Sequence, residues 1–170
     1  MKKLFVWLLM PLLLAGCAQP RDFETMADTY QEPEVFPSQP VSLVLPPEAS
    51  VMTVDAGEGS SLYICDGYTV TVQTFRGGDL QSTLRAVTGY DGDQLSVMSW
   101  QQGELTRHEC VWTAAGEGGD QVGRTMVLDA GDWHYTLTVM ADADSAGKLS
   151  ETWQEILDSF HLGREVSEKG

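Results

Sequence analysis

Positive charge is scarce in this sequence. Against 25 Asp and Glu stand only 10 Lys and Arg, for a formal charge of −15 at pH 7 and a pI near 4.3. A nucleic-acid backbone is drawn to clustered cations, and the only adjacent basic pair is Lys2-Lys3, so nucleic-acid binding is excluded. Polybasic docking on anionic lipid is excluded for the same reason. No apolar run approaches the roughly 20 residues of a membrane-crossing helix, since the stretch over residues 4–14 is short and broken by Pro11. Proline is absent after Pro47, so every later residue has a backbone N–H to give to a sheet or helix. Also missing are a Gly-x-Ser-x-Gly elbow, a His-Glu-x-x-His pair and a phosphate-cradling Gly-x-x-x-x-Gly-Lys loop, which removes the simplest hydrolase and nucleotide chemistries. At 170 residues the chain accommodates one domain plus appendages, with roughly 130 residues left for a core.

Those appendages are written into the first forty residues. Lys2 and Lys3 precede the apolar stretch 4–14, and small residues Ala15 and Gly16 precede Cys17, the layout of a secretory signal over residues 1–16. The tetrad Leu14-Ala15-Gly16-Cys17 resembles the lipobox of bacterial lipoproteins. That resemblance implies cleavage before Cys17, a diacylglyceryl group on its thiol and an acylated amino terminus. It places the protein on the extracytoplasmic face of the cell membrane, held by acyl chains such as palmitate. Each buried methylene contributes about 0.8 kcal/mol, so two or three chains anchor firmly. In a host with two membranes, Ala18 after Cys17 lacks the aspartate that retains lipoproteins at the inner one, which leaves the outer membrane open as the destination. Loss of residues 1–16 deletes Lys2 and Lys3 and no acid, taking the charge from −15 to −17. Repulsion then holds the domain off an anionic surface within a Debye length of roughly 8 Å.

Residues 17–40 read as the lipidated cysteine and a flexible tether containing Pro20, Pro33, Pro37 and Pro40. As coil its 23 residues after Cys17 span roughly 26 Å, or about 70 Å in polyproline form. Phe23, Met26, Ala27 and Tyr30 have helical spacing behind Asp22, although a helix this short is marginal alone. A globular domain is expected over 41–163, with a disordered tail at 164–170.

Within 41–163 the pattern turns to β. Strands are expected at 41–45, 62–65 and 68–75, the last two divided at Asp66-Gly67. One helix follows, with Asp79 as N-cap, Leu80, Leu84 and Val87 on one face, and Gly89 as its stop. A meander comes next at 95–101, 104–113, 121–128 and 133–140. A second helix at 149–162 carries Trp153, Ile156, Leu157 and Phe160 in one apolar stripe, with Gly163 after it. The class is α+β, an antiparallel sheet covered by helices. The opening Val41-Ser42-Leu43-Val44-Leu45-Pro46, the single helix, the meander and the terminal Ile156-Leu157-Asp158-Ser159-Phe160 are similar to the PsbP-like α/β/α sandwich of many small bacterial lipoproteins. The resemblance covers residues 41–162 and implies accessory or binding roles in the cell envelope, with no catalytic residue to carry over.

The chemistry-bearing residues are few. With Cys17 spent on lipid, Cys65 and Cys110 are expected to pair in a structural disulfide, as leftover cysteines of an exported protein do. Closing a loop of about 46 residues contributes about 4 kcal/mol on the chain-entropy model. The Cys-x-x-Cys spacing of a redox pair is absent. His108, His134 and His161 are scattered, and a site shared by His108 and His134 requires their strands to approach. Asp142-Ala143-Asp144-Ser145-Ala146-Gly147 starts like a calcium loop but offers Ala146 and Trp153 where oxygen donors belong. A weaker calcium site using Asp142, Asp144 and either Asp129 or Asp132 is the remaining metal option. The expectation is a non-catalytic, lipid-anchored envelope module without cofactor or metal, whose partner is the membrane through Cys17 and an envelope protein or ligand. The alternative is an extracytoplasmic hydrolase working through paired carboxylates, which a pocket with inward acids, or an acid beside His108 or His134, would favour.

Overall fold

Alternating threonines and valines over Thr69–Arg76 present Val70 and Val72 to one side of a strand and Thr69 and Thr71 to the other. That two-faced pattern repeats along the chain and builds a sheet with a separate apolar layer on each side. A computed structural model of the chain describes residues 37–52, 59–116 and 118–163. The segments expected to be a signal sequence (1–16), the lipidated Cys17 and most of the tether (up to residue 36), and the tail (164–170) lie outside the described residues. The elements, in chain order, are β1 (Val41–Ser42), β2 (Ser50–Met52), β3 (Ser60–Ile64), β4 (Thr69–Arg76), α1 (Leu80–Thr88) and a 3-10 turn (Gly92–Gln94). After these come β5 (Met98–Gln102), β6 (Leu105–Gly116), β7 (Gly119–Asp129), β8 (Trp133–Asp142), α2 (Ala143–Ala146), α3 (Ser150–Ser159) and β9 (His161–Leu162).

Seven strands form one sheet in the order β2-β3-β4-β8-β7-β6-β5, and every neighbouring pair is antiparallel. Two meanders, β2 to β4 and β5 to β8, are joined by α1 and meet where β4 lies along β8. Helix α3 covers one face. Its Trp153, Ile156 and Leu157, with Phe160, pack on Val70, Val72, Met126, Leu128, Leu137 and Val139. Each of these apolar side chains contributes roughly 1.5–3 kcal/mol when fully withdrawn from water. Helix α1 covers the other face, where Leu84 meets Cys110, Trp112 and Val127. The result is the expected α+β class with helices on both sides of an antiparallel sheet.

Local chemistry sets the helix ends. The Asp79 carboxylate accepts from the Gln81 N–H at 3.1 Å and from the Ser82 hydroxyl at 3.1 Å, which opens α1. Gly89, at φ +79°, closes it and donates to the Arg85 carbonyl. The terminal helix is shorter than the 149–162 expected from its stripe. The Ser159 hydroxyl donates to the Ile156 carbonyl at 2.7 Å and accepts from the Val44 N–H at 2.8 Å, which ends the helix against the β1 segment. Residues 161–162 are then needed as strand, because Val41 pairs with Leu162 and Ser42 with His161. The same pairing limits β1 to two residues, where 41–45 was expected. Gln39 and Pro40, read as tether, are bonded to the domain through the Tyr135 hydroxyl and the Gly163 N–H. The calcium-like segment is the helical turn α2.

Gly77 holds the two meanders together at one end. Its N–H donates to the Asp132 carbonyl at 2.7 Å, and a Cβ there would lie 1.8 Å from the Gly131 carbonyl oxygen. The atoms it would meet, Gly131 O, Asp132 C and Trp133 N, are all backbone, so no rotamer relieves the clash. Gly77→Ala is expected to lower stability by about 1–3 kcal/mol, read as a lower urea midpoint at unchanged m-value.

Candidate functional site

Helix α3 does not reach across the whole sheet. Beyond it, Met98 and Trp100 on β5, Arg107, Glu109 and Val111 on β6, and Val122 and Arg124 on β7 share one face by register. Between the part of this face that α3 leaves open, at Met98, Val111 and Val122, and the start of the α2–α3 segment lies a groove of about 640 Å³. Met98, Val111 and Val122 line one wall, and Ala143, Ala146 and Trp153 the other. Val111 and Met98 are 58% and 61% exposed at its mouth. A volume of this size is in the range of about 300–1,000 Å³ typical of small-ligand sites.

Beneath the groove lies a buried charge cluster. Arg107 donates to Glu109 Oε1 through Nε at 3.0 Å and Nη2 at 2.6 Å, and Arg124 donates to Glu109 Oε2 at 2.8 Å. The side chains of Arg107 and Glu109 are 6% and 4% exposed, so their charges survive burial by neutralisation, Glu109 between the two arginines and Arg107 between Glu109 and, at 3.4 Å, Asp158 Oδ1. Arg124 also donates to Gln154, and Gln154 donates to Asp158, which ties the cluster to α3. Trp100 stacks 5.2 Å from the Arg107 guanidinium. Both oxygens of Glu109 are committed to arginines, which leaves it poorly suited to proton transfer. Trp153, 4% exposed, has a buried indole N–H without a partner among the described residues.

The opposite face brings the predicted histidines together. His134 Nε2 lies 3.5 Å from Asp129 Oδ1, and His108 Nε2 lies 3.9 Å from Asp129 Oδ2. Thr83 Oγ1 and His134 Nδ1 share a hydrogen bond of 2.7 Å, as do Ser99 Oγ and His108 Nδ1. An acid thus stands beside both histidines, the feature named above as favouring catalysis. Ser99, His108 and Asp129 even supply the residue types of a hydrolytic triad. However, the His108–Asp129 separation exceeds a hydrogen bond, and the groove lies on the other side of the sheet. Burial lowers the His108 pKa, opposed by the attraction of Asp129 and reinforced by the neighbouring His134.

Linkage gives this shift a sign. The folded chain declines a proton that the unfolded chain accepts below the ordinary histidine value of 6.5, so the contribution is complete above that pH and lost below it. Stability is expected to fall from pH 7 toward pH 5.5, with a shallower slope in His108→Gln, checked by urea unfolding across the range.

Two expectations are corrected here. Cys65 and Cys110 are both free. Cys65 packs with Tyr68 and Val70 on the α3 face, whereas Cys110 packs with Leu84 and Trp112 on the α1 face. Three strand spacings, about 14 Å, separate β4 from β6, and a disulfide requires Cα atoms within about 7 Å. Burial raises the Cys65 thiol and pushes Cys110 up to about 11, so both are held as poorly reactive thiols. Reductant is expected to leave the melting temperature unchanged, and alkylation without reductant should label both only after unfolding. The calcium option also fails. Asp142 faces Gln121 at one end of β7 and Asp129 faces His134 at the other, eight residues or about 27 Å apart. Among the described residues no group of three His, Cys, Asp or Glu is placed to hold a metal ion. Sequence reasoning missed Arg107, Glu109, Arg124 and Trp100. The signal was parity, because Arg107, Glu109 and Val111 alternate on one face of a single strand.

No family model matches the sequence, and no curated protein matches it. Solved structures do. Cyanobacterial PsbP (CyanoP) from Synechocystis is similar at a TM-score of 0.56 and 10% identity, over 72% of this chain and 86% of that one. A protein from Bacteroides thetaiotaomicron is similar at 0.50 and 15% identity, over 74% of this chain, which spans only 46% of that one. LpqN from Mycobacterium tuberculosis, described as involved in cell envelope biogenesis, gives 0.44 and 10% identity over 75% and 85%. The likeness to CyanoP defines the fold, and that fold is PsbP-like.

Proposed function

We propose that the chain is a lipid-anchored, extracytoplasmic binding module, held to the membrane through Cys17 and non-catalytic, whose groove takes an apolar or amphiphilic small ligand. The carrying observation is the groove itself, an apolar cleft of about 640 Å³ above a charge cluster that is already internally satisfied. Such a floor lends rigidity and leaves little to react. The apolar walls favour an alkyl or aromatic body. The lipobox-like tetrad ending at Cys17 supports the anchor.

Two measurements test this. Dodecanoate should displace anilinonaphthalenesulfonate from the purified protein saturably at one site, and Ala143→Trp, which fills the mouth, should weaken it by about tenfold or more, equal to about 1.4 kcal/mol. Equal displacement in both proteins, or none in either, would remove the groove from the account. Labelled palmitate should enter the wild-type chain and not Cys17→Ser, and incorporation into the serine variant would contradict the anchor.

A further inference from the structure

Strand β5 closes one edge of the seven-stranded sheet, and nothing in its sequence guards that edge. Its five residues are all exposed and pair with β6 without interruption, from Met98 opposite Glu109 to Gln102 opposite Leu105. They include no proline, no lysine and no acid. A regular edge strand leaves a row of N–H and C=O groups without sheet partners, and exposed edges are ordinarily blunted by such residues or by a bulge. The other edge, β2, is only three residues long and follows Pro46, Pro47 and Glu48. Beside β5 the surface is apolar, with Met98, Trp100 and Val111 exposed by 61%, 40% and 58%.

We propose that β5 is the interface of a homodimer, in which two copies pair these strands antiparallel about a two-fold axis at Trp100 and fuse their sheets into one. In that register Met98 faces the second copy's Gln102, Ser99 faces its Gln101, and the two Trp100 rings face each other. Such an interface is self-complementary, as two-fold symmetry requires. Charge selects this occupant. Two chains each at −15 repel, so they can meet only along an uncharged strip, and residues 94–103 carry no charge at all. Extending the register places Glu104 opposite Ser96 of the second copy, so no acid meets an acid. An edge built for a cationic strand from another protein would display acids, and β5 has none. Paired tryptophans add an aromatic contact at the axis. The inference goes beyond the binding reading and does not depend on it.

Sedimentation velocity of the full chain in detergent tests it. The expected result is a dimer that tightens as salt rises, because screening relieves repulsion between like-charged copies. Trp100→Lys and Met98→Lys should each be monomeric with unchanged circular dichroism. Ser99→Cys combined with Gln101→Cys should form a covalent dimer under mild oxidation, whereas Ser61→Cys should not. A monomer at every salt concentration, a dimer that survives both lysine variants, or a cysteine pair that does not cross-link would overturn the proposal. If a lysine variant fails to fold, the cysteine pair decides. None of these assays uses a ligand, so their failure leaves the groove reading standing.

Discussion

Glu109→Gln is expected to lower the unfolding free energy by about 3–5 kcal/mol, a large part of a small domain's stability. The substitution keeps the shape of the side chain and removes its charge. Two guanidinium groups, Arg107 at 6% and Arg124 at 22% side-chain exposure, would then share a neutral amide, and only one of its two polar atoms can accept. The cost comes from leaving buried Arg107 only the longer, exposed Asp158 pair and Arg124 only the neutral Gln154 amide, and not from losing a contact of that intrinsic worth. A second variant separates the two ideas. Replacing Arg107 by Met together with Glu109 by Leu removes both charges and should recover much of the loss, as buried ion pairs exchanged for apolar groups often do. Urea unfolding reads both. A Glu109→Gln loss below about 1 kcal/mol would mean that water reaches the cluster in solution.

The second large effect is expected at Leu157. It is fully buried where α3 crosses the sheet, against the apolar face formed by β4, β7 and β8. Leu157→Ala should cost about 2–5 kcal/mol, toward the upper end if the surrounding strands cannot collapse into the space. The strands are held in register through eight consecutive β4–β8 pairs, which argues for little relaxation. The same helix carries Trp153 and Gln154, one lining the groove and the other bonded to Arg124. Loosened packing of α3 should therefore weaken binding in the groove as well as lower the denaturation midpoint. A variant that loses stability while keeping full dodecanoate displacement would mean that the groove does not depend on the seating of α3.

Much of the framework was legible in the residues. Asp79 and Gly89 bracketed α1 because a carboxylate cap and a left-handed glycine are local devices that tertiary packing does not override. The stripe Trp153, Ile156, Leu157 and Phe160 identified α3 because its period is helical, yet it did not locate the end of the helix. Phe160 is buried from an extended backbone, and the strand after it exists only because Val41 and Ser42 return to pair with it. Short strands such as β1, β2 and β9 have little pattern of their own. The Cys65–Cys110 expectation rested on where the protein is thought to live, and face parity would have opposed it. Trp112 shares a face with Cys110, two residues along β6, under α1, while the run from Tyr68 into Val70 leads Cys65 to the other layer.

The candidate site was less legible for a different reason. Its polar core is assembled across three strands and a helix, from residues far apart in the chain. Arg107 and Glu109 sit two apart on β6, which in isolation reads as a solvated charged edge. Only the register with Met126 and Leu128 places them on the buried face. Likewise a site shared by His108 and His134 depended on their strands approaching, which the pairing of β6, β7 and β8 provides by bringing both to Asp129.

The most direct test of the account is an amide chemical-shift titration of the isotopically labelled protein with dodecanoate. The expected result is saturable shifts confined to the groove, at residues 96–98, 109–111, 122–124 and 143–153, with α1 and β3 unmoved. Shifts centred on Ser99, His108 and Asp129 with the groove silent, or no saturable shift anywhere, would contradict it.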